Sequence, residues 1–313
     1  MSWLLVAVIA YSILAVVNVA DKFMLEKVIP AAKTYAFLVG VTGLLVFVVA
    51  PWFLEWPGFN LFLLNIITGV FFAGGLLFLY TALRDAEVTK IFTLTGGAVP
   101  VFIIWLSIIF FHERFSPWQW LAVCFLIAGT VMISWVSGEH GVWTRIKEWL
   151  HIKHDKKIRS ILFAVLAAAC FAIFWVGTKY AYNTQAFVSA FLWIRLGTFL
   201  AVILMLVNGN SRREIFDDLQ QSNTNKDNKF IFMGVQGLGA IGSVLQNYAV
   251  SLGSVALVTS LQGLQYALLL VMSAIVTAFL PNIIKEYNPR RIIIQKIVAV
   301  LIIGLGLYFL AIY

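Results

Sequence analysis

Charged residues make up only 12% of this 313-residue chain, against about 25% in a typical soluble domain. A solvated surface around a packed soluble core is therefore excluded. Cysteine is nearly absent. Cys124 and Cys170 both fall inside hydrophobic runs, so neither a disulfide framework nor a metal cluster is indicated. The four histidines, His112, His140, His151 and His154, lie outside those runs or at their ends. His151 and His154 have a metal-ligand spacing, but with no third ligand in sight they read as polar-face histidines. No Asp or Glu occupies the interior of any run, which removes the paired acids an embedded enzyme would need. There is no Gly-x4-Gly-Lys motif, and so no built-in ATPase. The N-terminus, MSWLLVAVIAYS, lacks a basic segment, and its hydrophobic run is read as retained in place of a cleaved signal. No catalytic residue, metal or cofactor is expected.

Apolar length is what the chain has. Hydrophobic residues reach 62%, with a mean hydropathy of +0.94. A membrane span needs about 20 mainly apolar residues. The runs are 2–20, 34–54, 60–83, 89–111, 118–137, 160–182, 186–208, 229–251, 255–280 and 292–312. The first and sixth repeat each other at one offset. Leu5/Leu162, Ala7/Ala164, Val8/Val165, Ala10/Ala167, Ala15/Ala172, Val19/Val176 and Lys22/Lys179 are identical pairs. The predicted fold is an all-α integral membrane protein of ten transmembrane helices, built as two five-helix repeats. An odd number of spans per repeat inverts the second relative to the first, an architecture of secondary transporters. The predicted divisions are a first repeat over 1–137, an amphipathic cytoplasmic connector over 138–159 and a second repeat over 160–313. The connection 209–228 is polar, mixed in charge and expected to be mobile.

Nineteen of the 22 Lys and Arg cluster in or beside the odd-numbered connections, and Arg114 is on the other side. The positive-inside rule then puts those connections in the cytoplasm and both termini outside, in a plasma or inner membrane. The same distribution accounts for the net charge of +8 without a nucleic-acid partner. In the connector, Trp143, Ile146, Trp149, Leu150 and Ile158 share one helical face among basic residues, as an interfacial helix would.

Polar side chains within spans are costly in hydrocarbon and face the bundle interior or a wet cavity. Gln236, Ala240, Ser243 and Asn247 lie on one face of the eighth span. Gln262, Gln265 and Tyr266 surround Gly263 in the ninth, and Thr93 and Pro100 fall close to one face of the fourth. Asn18 and Trp175 complete the candidate substrate-binding set. Pro100, lacking an N–H, leaves the Gly96 carbonyl unpaired, and with Gly96 and Gly97 it marks an expected helix break. Each of these also has a plain packing role open to it: small residues allow close helix approach, and amides bond across helices. Arg195, near the middle of the seventh span, has no acid at comparable depth. It either receives a substrate carboxylate or phosphate, with bidentate geometry, or bonds carbonyls and neutral side chains as a structural residue.

The stretch Phe110–Ser134, FFHERFSPWQWLAVCFLIAGTVMIS, ends one span with Glu113, turns at Ser116-Pro117 and runs through Gln119, Trp120 and Leu121 to Gly129. It resembles the EamA-type repeat of the drug/metabolite transporter superfamily. Leu79–Phe102 is similar to the third-to-fourth span connection of that repeat, and Asn247–Leu270 is its second-half partner through Tyr80/Tyr248. Ala122/Ala299, Val123/Val300 and Gly129/Gly306 align the final helices. The second half departs from the pattern: Pro281–Arg291, about nine residues longer, stands where the Glu-x-x-Ser-Pro turn would be. Ten-helix relatives are often described with cytoplasmic termini, the reverse of what the charges here indicate. A four-helix branch couples protons to cation export through an embedded glutamate in its first helix, and the nearest position here is Asn18.

The resemblance implies a secondary transporter working by alternating access, and Glu113 as a gate or structural acid. Small polar metabolites, amino acids or related organic anions, are the expected substrates, with the lipid bilayer as surroundings and protons or a counter-substrate for coupling. Export of amphipathic drugs or dyes is the alternative, and a membrane enzyme or scaffold a more distant one.

Overall fold

The computed structural model describes residues 2–27, 32–85, 88–135, 155–221, 226–279 and 290–312. Most of the 138–159 connector, with His140, His151 and His154, lies outside the described residues, as does 280–289. Among the described residues every regular element is a helix, and there is no strand. The reason is the solvent: hydrocarbon offers no hydrogen bonds, so each segment must satisfy its own backbone.

The elements are α1 Trp3–Lys27, α2 Ala32–Thr42, a 3-10 segment Gly43–Val49, α3 Ala50–Phe53, α4 Phe59–Asp85, α5 Val88–Phe111 and α6 Pro117–Trp135. They continue with α7 Asp155–Thr184, α8 Phe187–Met205, α9 Gly209–Gln221, α10 Lys226–Leu252, α11 Val255–Ser260, α12 Gln262–Phe279 and α13 Arg290–Ile312. Four stretches are long and apolar enough to cross a bilayer: Phe59–Leu79, Leu94–Phe111, Arg159–Thr184 and Phe187–Met205. Shorter apolar helical stretches are Trp3–Asn18, Gly40–Phe53, Pro117–Met132, Val255–Leu269 and Ile297–Phe309. α10, the eighth run, falls in neither group; Gln236, Ser243, Gln246 and Asn247 dilute its apolar character.

Two expectations are corrected. α5 stays helical through Pro100, so Pro100, Gly96 and Gly97 do not interrupt the fourth span. A proline costs one backbone bond, and the rest of the helix carries on. The interruptions lie elsewhere: in the 3-10 segment of the second run, and at Leu261, where the ninth run breaks into α11 and α12. The second correction concerns 209–221, expected to be mobile. It forms α9, whose Ile215 is fully buried and which lies against α2.

Packing is dominated by contacts between the halves. α4 packs on α7 and α8, α1 on α10 and α12, α5 on α7, and α6 on α13. Small residues set the spacing. A side chain on Gly197 would run into the Ile66 backbone, and one on Gly69 would meet the backbone of α8 at Ile194 and Thr198. Gly129 faces Ile303 and Ala299, while Gly306 faces Leu126 and Ala122. Lipid does not drive helices together as water does, so this closeness, and the dispersion it yields, is what binds them.

The repeated alanines occupy equivalent environments. Ala7 and Ala164, Ala10 and Ala167, and Ala15 and Ala172 are all 0% exposed, whereas Leu5 and Leu162 are 49% and 57% exposed. The identical residues thus mark one inward and one outward face on both α1 and α7. Gly197→Val should destabilise the protein by about 1–3 kcal/mol through overpacking against backbone. Gly96→Ala, with nothing near its added methyl, should leave the apparent melting temperature in detergent unchanged.

Candidate functional site

The polar face of α10 meets α7 and α8 midway through the bundle. Arg195 lies about 12 Å along α8 from its start, and Ser243 about 14 Å from the end of α10, at 1.5 Å per residue. Arg195 Nη2 donates to Ser243 Oγ. The guanidinium carbon lies 4.9 Å from the centre of the Phe191 ring, one helical turn away on the same helix. Such stacking suits a weakly hydrated guanidinium and holds it in one orientation. Gly43, opening the 3-10 segment, lies beside Nη1, where even an added methyl carbon would stand 3.8 Å away. No carboxylate pairs with Arg195 among the described residues, and its Ser243 bond uses one of five N–H groups.

Asn247 sits one turn beyond Ser243. Its Oδ1 accepts from the buried Tyr182 hydroxyl at 2.9 Å, and its Nδ2 donates to the Ser243 carbonyl at 2.8 Å. The Oδ1 bond ties α7 to α10, and the Nδ2 bond holds the amide in place on its own helix. Of the sequence-predicted site residues, the structure thus brings Arg195, Ser243 and Asn247 together. Gln236 is half-buried further along α10, and Asn18 half-buried on α1. Gln262 and buried Gln265 lie on α12. Trp175 packs against Phe174, with centroids 5.0 Å apart, as a cluster member. The side chains of Thr93 and Tyr266 lie outside the described residues. Among the described residues, no group of three or more His, Cys, Asp or Glu is placed to hold a metal.

A second polar layer lies where α10 finishes. Lys179 Nζ donates to the carbonyls of Val250 at 3.0 Å and Ser251 at 3.2 Å, which α10 leaves free at its C-terminus. Ser254 Oγ donates to Glu113 Oε2 at 2.6 Å and also caps α11 through Leu257 N. Tyr11 donates to the Val258 carbonyl at 2.9 Å and accepts from Gln246 at 3.2 Å. Sequence reading missed Tyr182, Phe191 and Ser254 as members of these layers. Two signals were present. Lys179 is an identical position of the repeat, and Ser254 stands before the apolar run VALVTS, where a helix cap is expected.

The Ser116-Pro117-Trp118-Gln119 turn has a local explanation. Ser116 N donates to Gln119 Oε1 at 3.0 Å, and Gln119 N donates to Ser116 Oγ at 3.2 Å. This reciprocal capping box, with Pro117 in the first helical position, starts α6. The positive φ of His112, 53°, ends α5 and turns the chain toward Glu113.

Residues 1–135 match the EamA-like transporter family. The first 135 residues thus resemble a family of membrane transporters, and the helices long and apolar enough to cross a bilayer make the chain a multi-pass membrane protein. A solved protein crystal structure aligns over 98% of this chain and 94% of its own, with a TM-score of 0.63 and 15% identity. That likeness speaks for the fold alone. No curated protein matches the sequence.

Tyr182→Phe should cost about 0.5–1.5 kcal/mol in thermal unfolding, the net value of one buried hydrogen bond. Asn247→Leu should cost more, about 1–3 kcal/mol, because it strands the Tyr182 hydroxyl without an acceptor.

Proposed function

We propose that this EamA-type protein is a secondary transporter of small polar metabolites, with amino acids or related organic anions as the substrate class. The observation that carries the reading is the Arg195 guanidinium. It is stacked on Phe191, steadied by one neutral hydroxyl on α10, and has no acidic partner among the described residues. An unpaired guanidinium at this depth is costly, and a substrate carboxylate supplies both the missing charge and a bidentate acceptor. Ser243 keeps the guanidinium oriented between substrates.

Two inverted five-helix repeats, over 1–137 and 160–313, are part of the proposal. Exchange of equivalent helices between the halves supports it. α4 packs on α7 as α1 packs on α10, and α5 packs on α7 as α1 packs on α12. α6 and α13 pack on each other through the aligned glycines Gly129 and Gly306. Ten spans follow when α2–α3 and α11–α12 each count as one crossing and the polar α9 as none. Alternating access then rocks one set of helices against the other around the Arg195 layer. The positive charges place the connection between α4 and α5, and that between α6 and α7, in the cytoplasm, and both termini outside.

A thermal-shift screen in detergent tests the substrate class. Amino and organic acids at about 100-fold above Kd should stabilise the wild type by ~2.7 kcal/mol. Arg195→Ala should abolish that shift, and Arg195→Lys, which keeps the charge but loses the fork, should reduce it. Shifts from neutral or cationic compounds only, unchanged in Arg195→Ala, would make Arg195 structural. Orientation is checked separately. A membrane-impermeant thiol reagent on intact cells should label a cysteine at Gly58, and should leave one at Arg145 unlabelled until the cells are opened.

A further inference from the structure

We infer that α11 is a gate segment over the Arg195 layer, latched shut by the Glu113–Ser254 hydrogen bond and backed by Lys179. It rests on the transporter reading but not on the substrate class. α11 is six residues long and bounded by two breaks, Gly253–Ser254 before it and Leu261 after it. A short segment between two breaks can swing without unwinding its neighbours. All six of its residues are buried. The Thr259 and Ser260 hydroxyls bond back to carbonyls of α11 itself, at 2.7 Å to Val255 and Leu257. Its hydrogen bonds to other elements are therefore few, and its remaining ties are apolar packing on α5, α6, α1 and α7. At its start Ser254 donates to Glu113, 141 residues away in sequence, and along its length the Val258 carbonyl accepts from Tyr11.

The latch lies just past the end of α10, whose polar face carries the candidate site. Val250 and Ser251, whose carbonyls hold Lys179, lie on α10 about a turn beyond Asn247 and two beyond Ser243. Glu113 through Ser254, and Lys179 through the Val250 and Ser251 carbonyls, bring the α5–α6 link, the α10–α11 link and α7 together. Gly253 gives the link its closeness to α1: an added Cβ would stand 2.7 Å from the Trp3 ring. The first half has no equivalent segment. Leu261 aligns with Thr93 through the Tyr80/Tyr248 register, and α5 runs unbroken there. A moving element in one half alone makes the two faces of the transporter open differently.

The test uses full-length protein purified in detergent, with Cys124 and Cys170 replaced by alanine and Ala256→Cys as reporter. Ala256 is 1% exposed, so a maleimide reaches it only when the gate opens. Ser254→Ala should raise the labelling rate about tenfold, the scale expected for losing a hydrogen bond to a charged group. Glu113→Gln, which can still bond Ser254 but carries no charge, should raise it less. Ser189→Ala breaks a different bond at the same end of the bundle, between Ser189 and Glu55, and should leave the rate unchanged. Equal labelling in the Ser254→Ala and parent proteins overturns the latch. So does an equal rise in Ser189→Ala, which would mean general loosening. Labelling needs no substrate, so a failure here is distinct from a failure of the Arg195 reading.

Discussion

Hydrocarbon neither donates nor accepts hydrogen bonds, and every feature of this protein follows from where its polar groups find partners instead. Backbone amides find them within helices, which is why every regular element among the described residues is a helix. Some side chains within the spans find them on their own helix, as Ser12 and Thr81 do, and others on a different element. Tyr182 bonds Asn247, Asn65 bonds Gln185 at 2.8 Å, and Tyr11 bonds a carbonyl of α11. Arg195 is the exception that matters, because its charge is balanced by no acid among the described residues. A bundle that keeps such a group at mid-depth carries a cost that a bound anion offsets.

The halves are held together by contact at close range. Glycine and alanine let α4 approach α7 and α8, and let α6 approach α13. Close approach increases dispersion contacts, and it also fixes distances between side chains across the bundle. The Arg195–Ser243 bond spans α8 and α10 and depends on that fixed spacing. Packing and site are thus parts of one arrangement: α10 presents Gly242 and Gln246 to α1 and, on another face, Ser243 and Asn247 to α8 and α7.

The two halves share a sequence pattern and differ in detail where movement is expected. α5 runs straight through its proline, while its partner run breaks at Leu261, where no proline occurs. The break carries no proline to announce it. The capping box at Ser116 and Gln119 is the opposite case. Both residues stand in one turn, and their mutual bonds are local, so the sequence alone reveals them. The same locality makes Ser254 readable as a cap but not as the partner of Glu113, which lies 141 residues away.

Hydropathy determined by itself that the chain is helical and membrane-embedded, while charge placement and repeated residues gave the expected orientation and the two-repeat reading. Those signals are periodic and local, and each residue contributes on its own. They also singled out Arg195, Ser243 and Asn247, since a polar residue in an apolar run stands out whatever surrounds it. Only the tertiary structure decided which of these meet. Trp175 packs on Phe174, while Tyr182 and Phe191, ordinary aromatics in the sequence, meet Asn247 and Arg195 of the candidate site. Pairing between helices depends on rotation and spacing set by small residues far apart in the chain, and no window of sequence contains that information.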